Sequence, residues 1–248
     1  MRSRSTSRPA SRRPIGPVLS PLYASLLALV CAGYATIAFA IRDTMPDVAG
    51  LLLYLALGFG VAGVGYAGAG PGVFFKRPDG SRAIAGYVLA GPYFLSVALA
   101  RLVQRTVTRE PAWNLVAPGL YVGRLVPHRA LPDDALTVVD LTSEMLEDRR
   151  TRLGCRYLCL PVLDGTAPSV DDLVALAKQT SEAPGPWYVH CAAGHGRSAM
   201  LAAVLLVVRG DAPDVRAAEA LMKKSRPKVH LTRAQARAAE GAVAKLSA

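Results

Sequence analysis

The stretch Trp187-Tyr-Val-His-Cys191-Ala-Ala-Gly-His-Gly-Arg197-Ser-Ala-Met200 decides how the rest of the chain is read. Trp187, Tyr188 and Val189 are aromatic or β-branched and predict a strand. Ala199 to Val208 reads AMLAAVLLVV and predicts an apolar helix. The turn between them carries a cysteine at its entrance and an arginine at its exit. Gly194 and Gly196 permit backbone angles that other residues avoid. A loop of this kind aims successive N–H groups at one point, and the following helix adds its positive end. Arg197 offers a planar fork that matches two oxygens of a phosphoryl group. The same positive field lowers a thiol pKa, so Cys191 is expected to be a thiolate and a nucleophile. Cys-x5-Arg alone is a weak signal, and a buried cysteine in a Gly-rich turn is the plain alternative. The strand before, the helix after, the two glycines and Ser198 directly after the arginine give the motif its weight.

HCAAGHGRSA resembles the signature loop of cysteine-dependent dual-specificity phosphatases of the tyrosine-phosphatase superfamily. GLYVGRL (119–125), VVDLTSE (138–144) and LPVLDG (160–165) follow that family's usual order, so the resemblance covers about residues 115–247. It implies a central sheet flanked by helices and a phospho-cysteine intermediate on Cys191. It also implies phosphate binding by Arg197 and the loop from Ala192 through Ala193, Gly194, His195 and Gly196, with Ser198 assisting the thiolate. An upstream aspartate is then the general acid. Asp140, Asp164, Asp171 and Asp172 are the candidates. Asp164 matches the family position on a Gly-containing loop just past a strand, where a catalytic acid belongs. Asp171 and Asp172 are explained by a first helical turn, and Asp140 by a strand end.

His190 is expected to orient the loop or support the cysteine, and His195 to lie where substrate can touch it. Neither has a ligand partner at metal spacing in the sequence, and no metal or cofactor is expected. Cys31, Cys155, Cys159 and Cys191 form no C-x2-C pair. Ordinary core cysteines are the simple reading of Cys155 and Cys159; the resemblance also raises a protective disulfide with Cys191.

The net charge of +11 is unevenly spread. Residues 1–110 hold 12 Lys/Arg against 4 Asp/Glu, whereas 111–248 hold 17 against 14. That split speaks against a nucleic-acid partner, whose counterpart is a basic face on a folded domain. It predicts a membrane part joined to a soluble part. Residues 1–17 hold five arginines and no acid, and predict a disordered basic tail.

Residues 18–110 predict a membrane region: a transmembrane hairpin of about 22–41 and 50–71, then an apolar run at about 83–102. The arginine-rich tail predicts an inner N-terminus. Basic residues flank the third run on both sides, which favours an interfacial or re-entrant segment; a full third span is the alternative. The first arrangement predicts a multi-pass membrane protein with residues 111–248 facing the cytoplasm as a catalytic domain with its own core. The fold expected is therefore α/β, a central sheet preceded by a helical hairpin.

The function expected is a membrane-anchored phosphomonoester phosphatase acting on a phosphorylated lipid or protein. Sulfurtransferases and arsenate reductases also place a cysteine in an anion loop, but sulfur transfer needs no matched acid such as Asp164. A catalytically inactive membrane-bound phosphate-binding module is the third class.

Overall fold

The computed structural model describes residues 20–108 and 110–248, and the expected basic tail lies outside them. Helix α1 (Pro21–Ile41) and helix α2 (Pro46–Val64) form an antiparallel pair, each with a proline in its first turn. Proline suits that position because its missing N–H has no helical partner there. The α1 helix is about 32 Å long at 1.5 Å per residue, enough to cross a hydrocarbon core. After α2 the chain tightens through Gly65–Ala69 and Pro71–Phe74. It then makes a short hairpin in which Lys76 bridges Arg82, and enters α3 (Ile84–Val107). Among the described residues three helices, Pro21–Ile41, Pro46–Ala69 and Ile84–Val107, are long and apolar enough to cross a membrane.

Gly91-Pro92, a pair that ordinarily ends a helix, lies inside the third one without breaking it. Pro92 sits inside α3 with its ring against Gly58 of α2, where a Cβ would lie 3.0 Å from the ring. A small residue on one helix thus makes room for the ring on the other.

The C-terminal half is a five-stranded sheet in the order β1-β2-β5-β3-β4. Its strands are β1 (Trp113–Ala117), β2 (Leu120–Arg124), β3 (Thr137–Thr142), β4 (Arg156–Val162) and β5 (Trp187–Cys191). Only β1 is antiparallel to its neighbour. Helices α4 (Arg149–Gly154), α5 (Val170–Glu182), α6 (Arg197–Val208), α7 (Val215–Ser225) and α8 (Arg233–Leu246) complete it. Strand β1 has no counterpart in the sequence reading, because Trp113-Asn-Leu-Val-Ala lacks a clear two-residue alternation.

The apolar α6 is buried along nearly its whole length, and α5, α7 and α8 pack round it on one face of the sheet. Ser169 caps α5 by accepting from the Asp172 N–H, and Thr232 with Gln235 forms a reciprocal cap on α8. Strand β5 lies at the centre, so the loop that follows it opens at the carboxyl end of the sheet, where ligands of open α/β sheets bind.

The two halves are joined by buried charge. Lys76 Nζ lies 2.6 Å from Asp140 Oδ2 and 2.7 Å from the Thr142 carbonyl, with both side chains of the ion pair fully buried. Arg82 donates to the Ser143 carbonyl at 2.9 Å and stacks on Phe94. At the other end of α3, Arg105 donates to the Leu125 carbonyl at 3.0 Å. The chain therefore touches the C-terminal half just before α3 begins and again near its end. Residues 111–248 do have their own apolar core, but the charge of Asp140 is balanced from outside them.

Candidate active site

The loop Cys191–Ser198 wraps one point at the end of β5. Gly194 has φ +80°, and a Cβ there would run into the carbonyl carbon of Gly123, so glycine is obligatory on two counts. Gly196 is different: its φ is −110°, an ordinary value, and its restriction is space, since a Cβ there would lie 3.0 Å from Gln235 Oε1.

The Cys191 sulfur is buried and accepts from the Gly194 N–H at 3.2 Å, with Ser198 Oγ at 3.5 Å. Burial alone would raise this thiol's pKa. The Arg197 charge and the Ser198 hydrogen bonds outweigh burial and bring it below the ordinary thiol value. Ser198 is thus placed to hold the sulfur as an anion.

Arg197 is buried beneath the loop. Its Nη1 and Nη2 donate to the two carboxylate oxygens of Glu144 at 2.9 and 2.8 Å, and Nη1 also donates to the Val162 carbonyl at 2.8 Å. Asp164 Oδ1 lies 3.1 Å from Nη2. Burial disfavours the Arg197 charge, but the two carboxylates more than offset it and raise its pKa well above the ordinary value. Burial likewise pushes Glu144 up, while Arg197 holds it down to about 2. The buried Nε has no partner among the described residues, which leaves one donor of the fork for an anion in the loop.

Asp164 stands on the turn after β4, its side chain 62% exposed, next to Gly165 at φ +71°. Tyr23 of α1 packs against that turn, 3.2 Å from where a Gly165 Cβ would be. Asp140 is elsewhere. It is buried, paired with Lys76, and accepts from Tyr157 Oη and from Thr142 N and Oγ1, all at 2.7 Å. Asp171 and Asp172 occupy the first turn of α5.

The His190 ring points to the face of the sheet opposite the sulfur. It stacks on Tyr188, and its Nε2 lies 2.8 Å from Glu147 Oε2. Any support it gives the cysteine runs through the strand rather than through a side-chain contact. Burial lowers its pKa, but Asp140 and Glu147 raise it more, to above the ordinary value. The fold brings Asp140, Glu147 and His190 within 4.8 Å of one another, a grouping that sequence spacing does not reveal. Lys76 already supplies a cation there.

His195 Nε2 lies 2.6 Å from Glu110 Oε2, on the rim of the loop. Burial lowers its pKa, against a smaller upward pull from Glu110. Ala192 and Ala193 face the cavity in front of the loop.

Cys159 pairs in register with Asp140, which pairs with His190, so the Cys159 thiol lies on the face away from Cys191. Cys155 packs with Val138 and Tyr188 on that same face. All four cysteines are free, and burial pushes Cys159 up to about 12. The geometry therefore gives no disulfide between either residue and Cys191.

Two positioning groups escaped the sequence reading. Glu144 closes the VVDLTSE run, but nothing in its spacing points at Arg197. Arg226, between α7 and α8, is 1% exposed and braces the loop from behind. Its Nε donates to the Gly194 carbonyl at 2.7 Å and its Nη2 to the Ala193 carbonyl at 2.9 Å. Its Nη1 ties to Asn114 Oδ1 at 3.0 Å. Carbonyls held outward leave the loop N–H groups facing inward. Each of these two residues is far from Cys191 in sequence, so only the fold brings them to it.

Comparison with known proteins bears on the C-terminal half. No curated protein matches the chain. The crystal structure of PTPMT1 in complex with PI(5)P aligns at 18% identity and a TM-score of 0.46, covering 55% of this chain and 97% of that one. Tk-PTP in its active form aligns at 22% and 0.47, covering 54% and 98%. Human DUSP28 aligns at 20% and 0.47, covering 56% and 97%. Residues 134–243 match the family model described as PTP-SAK, Swiss Army Knife protein, DSP-PTPase phosphatase domain. By that match this part of the chain is similar to a phosphatase domain of the dual-specificity and tyrosine-phosphatase type.

Proposed function

We propose that the chain is a membrane-anchored phosphomonoester phosphatase that works through a phospho-cysteine intermediate. The carrying observation is the Cys191 sulfur, lowered in pKa, beside an Arg197 fork with one donor free. In this reading the thiolate attacks phosphorus and the P–O bond to the leaving group breaks. Asp164 gives its proton to the departing oxygen. Water then attacks the phospho-cysteine with Asp164 taking a proton, and phosphate leaves as the thiolate is restored. Asp164 and Ser198 favour this over sulfur transfer, which has no leaving oxygen to protonate.

For the membrane part, the α1–α2 hairpin crosses the bilayer and α3 lies in the interface. A helix of 24 residues is about 36 Å long, so a spanning α3 would carry its ends to opposite surfaces. Contacts from Arg82 and Arg105 to the catalytic half, at the two ends of α3, support the in-plane arrangement. Its outer stripe of Ile84, Val88, Leu95, Leu99 and Leu102 is exposed and apolar, as an interfacial helix requires. The catalytic half then lies on the side of the arginine-rich N-terminus, the cytoplasm.

The test is turnover by the full chain in detergent. Hydrolysis of an aryl phosphate that disappears in Cys191→Ser is expected, and substantial activity in that variant overturns the mechanism. A reporter fused at the C-terminus is expected to read cytoplasm; the opposite side would mean that α3 spans.

A further inference from the structure

A cavity of about 460 Å³ lies in front of the signature loop, and two thirds of its lining residues come from the membrane helices. Asp164 and Ala192 face it from the catalytic half, Leu27 from α1, and Val97, Ala100 and Arg101 from α3. Helices α1 and α3 each pack along α2 and hardly touch one another. The cavity therefore sits behind a gap between two helices whose outer surfaces, at Leu26 and Leu99, are exposed and apolar.

Arg101 is the unexplained group in this wall. Its side chain belongs to a residue only 8% exposed, and it makes no hydrogen bond or ion pair with any described residue. Its Nε is buried with no partner. A buried guanidinium N–H without a partner is costly. Arg82, similarly buried just before α3, also has an unpartnered Nε, but its Nη2 has the Ser143 carbonyl and its guanidinium the Phe94 ring. A ligand oxygen in the cavity would supply what Arg101 lacks.

We infer that the membrane helices complete the substrate site: the cavity takes a lipid ending in a phosphomonoester, admitted sideways between α1 and α3, with Arg101 binding the headgroup beside the phosphoryl group. This rests on the phosphatase reading above. The loop lies under an in-plane helix, at the level where lipid phosphates sit, and the acyl chains stay among apolar side chains while only the headgroup enters the polar end. A phosphorylated peptide would instead need an open approach to the loop, which α1 and α3 cover.

The experiment uses the purified full chain in mixed micelles. Phosphate release is measured from dioleoyl phosphatidic acid, from glycerol 3-phosphate, from a phosphotyrosine peptide and from an aryl phosphate. The expected kcat/KM for the lipid exceeds that for glycerol 3-phosphate and for the peptide by about 100-fold or more. Arg101→Gln should raise KM for the lipid about 10- to 100-fold, the worth of a charged hydrogen bond, with a smaller change in kcat. Arg101→Lys should recover part of that loss. Should Arg101→Gln fail to fold, Ala100→Phe serves instead, since it fills the cavity and should cut lipid turnover more than aryl phosphate turnover. Equal use of lipid, glycerol 3-phosphate and peptide, with aryl phosphate turnover still dependent on Cys191, overturns this inference and leaves the phosphatase reading standing. A preference for the peptide does the same. No hydrolysis of any of the four overturns both.

Discussion

Arg197 and Glu144 form a two-bonded ion pair under the Cys191–Ser198 loop, with N–O distances of 2.8 and 2.9 Å. The pair fixes the plane of the guanidinium and so the direction of its remaining Nε–H. Glu144→Gln keeps the shape but removes the charge and one acceptor. It is expected to lower kcat/KM about 10²-fold, the cost of displacing a positioned group by roughly an ångström. The loss should be alike for good and poor leaving groups, because the defect lies in phosphate binding. Steady-state kinetics on an alkyl phosphate and an activated aryl phosphate check this, together with inhibition by vanadate, which should weaken in parallel. Unchanged vanadate affinity would contradict the positioning role.

Asp164 should show the opposite pattern. Asp164→Asn is expected to slow cysteine phosphorylation by an alkyl phosphate about 10²–10⁴-fold, the usual range for general acid catalysis. With an activated nitrophenyl ester the loss should be much smaller, since that leaving group departs without full protonation. The measured quantity is wild type over variant on the poor leaving group, divided by the same ratio on the good one. A value near one, or leaving-group dependence in Asp140→Asn instead, rejects the assignment. Asp140→Asn should act through stability, given its buried bond to Lys76.

Stability should have a defined pH window. Asp140 and Glu144 are held below their ordinary values, so their contribution is present above the unfolded carboxylate range and is lost as pH falls through it and below. His190 is raised, so its contribution is complete below about 6.5 and is lost as pH rises through its folded value. Thermal unfolding of the full chain in detergent should therefore be most stable between about pH 5 and 6.5. Lys76→Met leaves Asp140 buried and unpaired, which costs about 3–5 kcal/mol. It should also flatten the acid limb. An unchanged melting temperature would contradict the buried pair.

The parts of the fold that follow local rules were legible in the sequence. Leu-Thr-Val-Val-Asp-Leu reads as a strand and is β3, and Ser169 with Asp172 reads as a helix start and caps α5. The loop from Cys191 to Ser198 is readable because its glycines, cysteine and arginine are contiguous. What stayed hidden depends on contacts between distant segments. Lys76 lies 64 residues before Asp140, and Arg226 lies 32 after Gly194. No periodicity couples such positions. Gly91-Pro92 reads as a helix breaker, yet α3 continues through it because Gly58 makes room for the ring. Arg101 reads as a flanking charge at the end of an apolar run; only the fold turns it into the cavity without a partner.

In the proposed mechanism Cys191 Sγ is the atom to which the phosphoryl group transfers. The direct measurement is to mix full chain with ³²P-labelled substrate, quench in acid within the first turnover, and map the label by peptide mass spectrometry. Up to one phosphoryl group per chain is expected, on the peptide containing Cys191, and none in Cys191→Ser. With an activated ester, Asp164→Asn should accumulate more label than wild type, because activation of the hydrolytic water is slowed. Label on another residue, or turnover that continues in Cys191→Ser with no labelled intermediate, would contradict it.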